Sequence, residues 1–272
     1  MKNDTSKTIG VIVPDDGVFP LEIMDHRFIT NWLAHHNLGD TEYILDLIPC
    51  DYPASPSVTE VELCEYLAAE NVLSASARRL GNKGCHSVVF ACTSASFFKG
   101  MQYAQCQAQL LSKSAGTPAS STSMAFLAAL RVLGAKRVDI LSPYPEITEL
   151  LVGFLADAGV SVGRIGHMRQ APSGRAFDID CEAELAEFVS STTSSDHPII
   201  IPCTSISSLN RAESFEKISG RSVITANQAT LWHALVLAGL TPNIAGAGSL
   251  FRSYAQISSP RQEGRDGGAA AI

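Results

Sequence analysis

The sequence predicts an α/β fold of two pseudo-symmetric lobes, each a mostly parallel sheet flanked by helices, with a cleft between them. Three observations carry that prediction. Apolar strand patterns alternate with helical ones along the chain, as they do where helices cover both faces of a parallel sheet. Three segments of the first half recur, in the same order, in the second. In both halves one of the recurring strands ends in Cys-Thr-Ser.

Taken in order, KTIGVIV (7–13), YILDLI (43–48) and SVVFA (87–91) read as short strands, with helical patterns between them at 21–34 and 58–80. In the second half RVDIL (137–141) reads as a strand. Residues 146–158 follow as an amphipathic helix, its apolar Ile147, Leu150, Leu151, Phe154, Leu155 and Ala158 falling on one face. GVIVPDD (10–16) resembles DILSPYP (139–145), an apolar strand that stops at a proline. VVFACTSAS (88–96) resembles IIIPCTSIS (199–207), and TPASSTSMAFLAAL (117–130) resembles RSVITANQATLWHAL (221–235), a strand, a polar corner and an apolar helix. The expected division is 1–116 plus 226–257 for the first lobe and 117–225 for the second, with a disordered tail at 258–272. Parallel sheets put ligands beyond the carboxyl ends of their strands. An approximate two-fold axis therefore brings the two Cys-Thr-Ser corners to one cleft.

Composition narrows the function. At 46% apolar and 17% charged residues the 272-residue chain is ordinary for a globular protein. A net charge of −7 with no Lys/Arg run excludes a nucleic-acid partner. No apolar run reaches the roughly 18 residues of a membrane span, and no signal-peptide core is visible. The expected location is cytoplasmic, with no membrane partner. In a reducing compartment the seven cysteines read as thiols. They form no CxxC pair, so no metal site is expected.

Most buried thiols are small apolar residues, and Cys50, Cys64, Cys85, Cys106 and Cys181 keep that reading. Cys92 and Cys203 differ because each holds the same place in its repeat. Each also precedes a segment that starts a helix, whose unpaired N–H groups are expected to lower a thiol pKa and make one of the two, Cys92 or Cys203, alkylate first. Thr93, Ser94, Thr204 and Ser205 supply hydroxyl and N–H donors that suit a carboxylate, or else they cap the turns. No GxSxG elbow, P-loop or GxGxxG fingerprint offers another chemistry. His233, inside ATLWHALVL, reads as a satisfied core residue, and His35-His36 as a solvated helix end.

With ACTSASFFKG (91–100), Ser142–Tyr144, IPCTS (201–205), TANQATLWHAL (225–235) and GAGSLFRS (246–253) in place, the chain resembles the aspartate/glutamate racemase superfamily. It is most similar to the maleate cis–trans isomerase and arylmalonate decarboxylase branch. The resemblance implies two lobes around a small mono- or dicarboxylate, no cofactor and no metal, with a homo-oligomer compatible. It implies Cys92 and Cys203 as catalytic residues. Pro14, Asp15, Thr93, Ser94, Tyr144 and Thr204 are implied substrate-binding residues, with the N–H groups of Cys203 and Thr204 completing an anion hole. Arylmalonate decarboxylases of this branch carry Gly at the first cysteine position, so two cysteines favour isomerase or racemase chemistry. The alternatives are a decarboxylase that protonates with Cys203 and a non-catalytic carboxylate-binding protein. The first-strand loop departs from the maleate isomerase Pro-Ser-Ser-Asn and reads Pro14-Asp15-Asp16-Gly17. Two acids there either face a substrate that also carries a cation, point away from it, or cap the turn.

Overall fold

The computed structural model describes residues 6–15, 22–49, 59–173, 175–191 and 195–258. Its first sheet contains β1 (Lys7–Asp15), β2 (Thr41–Pro49), β3 (Ser87–Phe90) and β4 (Ala119–Ser121), in the order β2-β1-β3-β4. The second contains β5 (Arg137–Ser142), β6 (Ser161–His167), β7 (Ile199–Ile201) and β8 (Val223–Thr225), in the order β6-β5-β7-β8. The two orders are the same once four is added to each strand number. Every pairing is parallel. The central strands β3 and β7 are buried along their whole length, which accounts for their unbroken apolar runs.

The first sheet carries α1 (His26–His35), α2 (Glu60–Leu67), α3 (Glu70–Asn82), α4 (Gly100–Ala115) and α5 (Thr122–Val132) in its half of the chain. The second half supplies α6 (Pro145–Asp157), α7 (Cys181–Ser190), α8 (Ala212–Ser219), α9 (Ala226–Leu237) and α10 (Ser249–Ser258). The repeat-equivalent helices α5 and α9 pack on each other, with the Thr122 and Thr230 hydroxyls 2.8 Å apart. Ser87 Oγ donates to the Ala234 carbonyl at 2.8 Å, so α9 lies against the first sheet.

Several expectations need correction. Residues 119–121 pair with β3, so the strand that follows Pro118 completes the first sheet; the lobe boundary at 117 cuts that sheet apart. The chain leaves the first lobe only after β4. The helical segment expected over 21–34 is a short 3₁₀ turn at Glu22–Met24 followed by α1. Asp25 separates them because its carboxylate accepts from the Arg27 and Phe28 N–H groups at 3.0 Å, an N-cap that starts a new helix. The segment expected over 58–80 likewise splits into α2 and α3, with Ala69 extended at φ −57°, ψ 128°. Asp16, Gly17, Cys50 and the tail from 259 lie outside the described residues.

The TANQ and GAGS segments meet at one corner. Gln228 Nε2 donates to the Ala247 carbonyl at 2.6 Å, and Gly248 sits at φ +86°, where a Cβ would stand 2.8 Å from that same Nε2. Only glycine satisfies both the left-handed backbone and the close approach.

Candidate active site

Beyond the carboxyl ends of β3 and β7 the Cys-Thr-Ser corners face one cavity of about 170 Å³. Cys92, Thr93 and Ser94 line it from the first lobe, and Cys203, Thr204 and Ser205 from the second. Pro14, near the end of β1, and Tyr144, after β5, stand on its wall, Tyr144 one place beyond Pro143, the repeat equivalent of Pro14. Seven of the eight residues expected from sequence thus line one cavity. Asp15 does not; it ends β1 half-buried, outside the lining.

Ser142 and Thr148 add hydroxyls that were not among the expected carboxylate donors, and Ser205 stands beside them as expected. An apolar wall of Leu63 and Leu67 on α2, Phe97, and Ile147 and Leu151 on α6 was missed entirely. The i, i+4 spacing of Leu63 with Leu67, and of Ile147 with Leu151, marks one helix face. Spacing alone does not distinguish a cavity wall from a packed core.

Both thiols are almost fully buried, Cys92 at 9% exposure and Cys203 at 5%. Burial pushes Cys92 up to about 12. The neighbouring Cys64 and Cys203 push in the same direction, and the Ala95 N–H and Ser94 hydroxyl only partly offset it. Cys203 is also raised by burial, against four groups that pull it down: the Ser205 N–H, the Ser205 hydroxyl, the Ile206 N–H and the Tyr144 hydroxyl. The expected lowering by helix N-termini therefore fails. Only a single 3₁₀ turn, Ser94–Ser96, follows Cys92, and turns run from Cys203 to α8. A few local donors do not offset complete desolvation. The expectation that Cys92 or Cys203 alkylates first loses its basis with it, because among the described residues the exposed thiol is Cys106.

The expected anion hole is also incomplete as drawn. The Cys203 N–H is occupied by the Ile201 carbonyl at 3.1 Å. Thr93 Oγ1, by contrast, is buried on the cavity wall with no hydrogen-bond partner. A buried hydroxyl without a partner is costly, and a ligand oxygen in the cavity would complete it.

Other candidates keep structural roles. His233 pairs with Ser120 Oγ at 3.1 Å, and burial depresses it to about 4. Among the described residues no group of three or more His, Cys, Asp or Glu side chains could hold a metal ion. No helix among them is long and apolar enough to cross a membrane.

Known proteins share this frame. The family model for arylmalonate decarboxylase matches residues 57–251. The arylmalonate decarboxylase of Bordetella bronchiseptica is 29% identical over 170 residues, 60% of this chain and 69% of that protein. A maleate isomerase from Pseudomonas putida is 29% identical over 136 residues, 49% of this chain and about half (54%) of the isomerase. A solved Nocardia farcinica maleate cis–trans isomerase, a cysteine mutant with a covalently bound succinylcysteine intermediate, superposes with a TM-score of 0.75 at 20% identity. It covers 90% of this chain and 98% of its own, a likeness of fold. With the family model covering most of the two-lobed frame, the chain belongs to the arylmalonate decarboxylase family.

Proposed function

We propose that the protein is a cofactor-independent isomerase or racemase of a small carboxylate, working with Cys92 and Cys203. The observation that carries this reading is that both thiols line one small cavity from repeat-equivalent loops. Thr93 Oγ1, lacking a protein partner, is the first contact for the substrate carboxylate, with Ser94, Thr204 and Tyr144 beside it.

Two like charges in one buried cavity repel, so the working pair is one thiolate and one thiol. Four donors face Cys203 and two face Cys92, which favours the charge on Cys203. In cis–trans isomerisation the Cys203 thiolate takes the proton of Cys92. The Cys92 sulfur then bonds to one alkene carbon while the π electrons move to the other carbon, which takes the proton back from Cys203. The new single bond rotates. Cys203 removes that proton, the S–C bond breaks as the double bond re-forms, and charge and protons return to their starting places. In racemisation the Cys203 thiolate takes the proton next to the carboxylate, and Cys92 returns one to the opposite face. The succinylcysteine of the Nocardia enzyme lends the addition route chemical precedent.

A second reading is decarboxylation, and the apolar wall of Leu63, Leu67, Phe97, Ile147 and Leu151 favours it. A carboxylate held against such a wall is destabilised relative to neutral CO2, and Cys203 would protonate the resulting carbanion. The test is an NMR screen of small carboxylates, amino acids and substituted malonates in D2O, with CO2 measured in parallel. Inversion or a geometric isomer without CO2 is expected; stoichiometric CO2 from a malonate alone would contradict the isomerase reading.

A further inference from the structure

The carboxylate of Glu22 reaches from the first lobe into the backbone of the second lobe's thiol loop. It is 8% exposed, and its partners among the described residues are neutral hydrogen-bond donors. The Ser208 N–H donates to Oε2 at 2.8 Å and the Leu209 N–H to Oε1 at 2.9 Å. The Ser207 hydroxyl adds a bond at 3.2 Å and Asn227 Nδ2 one at 3.1 Å. Four donors around one carboxylate specify an acceptor-only group. Burial raises its pKa, and these same donors pull it back. On its own lobe the segment is pinned, because the Tyr43 hydroxyl donates to the Ile23 carbonyl at 2.6 Å.

The next link runs to the sulfur. Asn227 Nδ2 also donates to the Thr204 carbonyl at 3.1 Å and to the Ile206 carbonyl at 3.2 Å. Three acceptors around that nitrogen fix the amide's orientation. The peptide unit between Thr204 and Ser205 is planar and trans, so its carbonyl and N–H point in opposite directions. Asn227 holds the carbonyl, and the Ser205 N–H of the same unit is the one that meets the Cys203 sulfur.

We propose that Glu22 is the positioning residue of the second thiol: through Asn227 and the Ser208 and Leu209 amides, it fixes the 203–209 loop and so the seat of Cys203 in the cavity. The consequence for turnover rests on the two-thiol reading. The placement of the loop does not, and the test reads placement directly.

The experiment measures alkylation of each cysteine by iodoacetamide, using peptide mass spectrometry, in the full-length protein and in Glu22→Gln. The glutamine must turn an NH2 toward one pair of donors, which opens the loop while leaving the first lobe's thiol loop untouched. Cys203 labelling is expected to rise at least about five-fold with Cys92, Cys64, Cys85 and Cys181 unchanged within about two-fold, the signature of a local opening. Glu22→Asp keeps the charge but cannot span both amides, so it should lie between the two, and it carries the test if Glu22→Gln does not fold. An unchanged or slower Cys203, or an equal rise at all the buried thiols, would overturn the proposal. Neither result depends on a substrate, so failure here stays separate from failure of the isomerase reading.

Discussion

The two Cys-Thr-Ser loops occupy equivalent places after β3 and β7, yet different chemistry holds them. The first loop is braced by neutral groups of its own lobe. Ser96 Oγ donates to the Thr93 carbonyl at 2.8 Å, Ser123 Oγ to the Ser96 carbonyl at 2.8 Å, and Gln107 Nε2 to the Ala95 carbonyl at 3.1 Å. The second is braced by a carboxylate from the opposite lobe and by Asn227 at the start of α9. Ser123 and Asn227 stand at the same place in the repeat, two residues after the last residue of β4 and β8 respectively. A repeated frame has thus been completed in two ways. The hydrogen bonds that brace the Cys92 loop come from its own lobe, whereas the Cys203 loop is braced by a carboxylate that reaches it only when the lobes dock.

That contrast sets the size of mutational effects. Glu22→Ala strands two buried backbone N–H groups at about 1–3 kcal/mol each, reduced by relief of the buried charge, for a net loss of about 2–4 kcal/mol. Ser123→Ala removes one neutral hydroxyl and should cost about 1 kcal/mol. Chemical denaturation of the two variants checks the difference. Equal losses would erase the distinction between the loops.

A smaller effect separates the buried thiols from the buried imidazole of His233 by pH. Cys85, near 11, and Cys92, near 12, belong to the first lobe, and Cys181, near 12, to the second. All three are raised above the ordinary value of 9.0. Their contribution to stability is therefore complete below pH 9 and is lost as pH rises through the folded values, because the unfolded chain ionises first. His233 has the opposite sign. Depressed to about 4 from 6.5, it contributes stability above pH 6.5 that is lost as pH falls toward 4. Stability curves of Cys85→Ala should flatten on the alkaline side only, and those of His233→Gln on the acid side only. The same shape in both variants would contradict the assignment.

Much of this frame was legible in the sequence, because repetition is a long-range signal that survives without any partner in view. GVIVPDD against DILSPYP, and VVFACTSAS against IIIPCTSIS, hold strands of both sheets and the seven expected site residues that line the cavity. What was not legible is what depends on contacts distant in sequence. Glu22 lies 186 residues from Ser208 and sits in no local pattern. The break between α2 and α3 falls in Leu67-Ala68-Ala69, good helix formers by propensity, so tertiary packing decides it. The thiol pKa values were misjudged for a related reason: a helix N-terminus can be guessed from sequence, but the depth of burial that outweighs it cannot.

The central claim, that two thiols share the chemistry, is tested most directly by comparing Cys92→Ala with Cys203→Ala on the substrate found in the D2O screen. Both variants should fold, since each loses only a small side chain from a cavity wall. Both should fall below about a tenth of the wild-type rate, because proton transfer needs a group on each face. Turnover above that level in Cys92→Ala, with Cys203→Ala inactive and CO2 as the product, would contradict the account and identify a one-thiol decarboxylase.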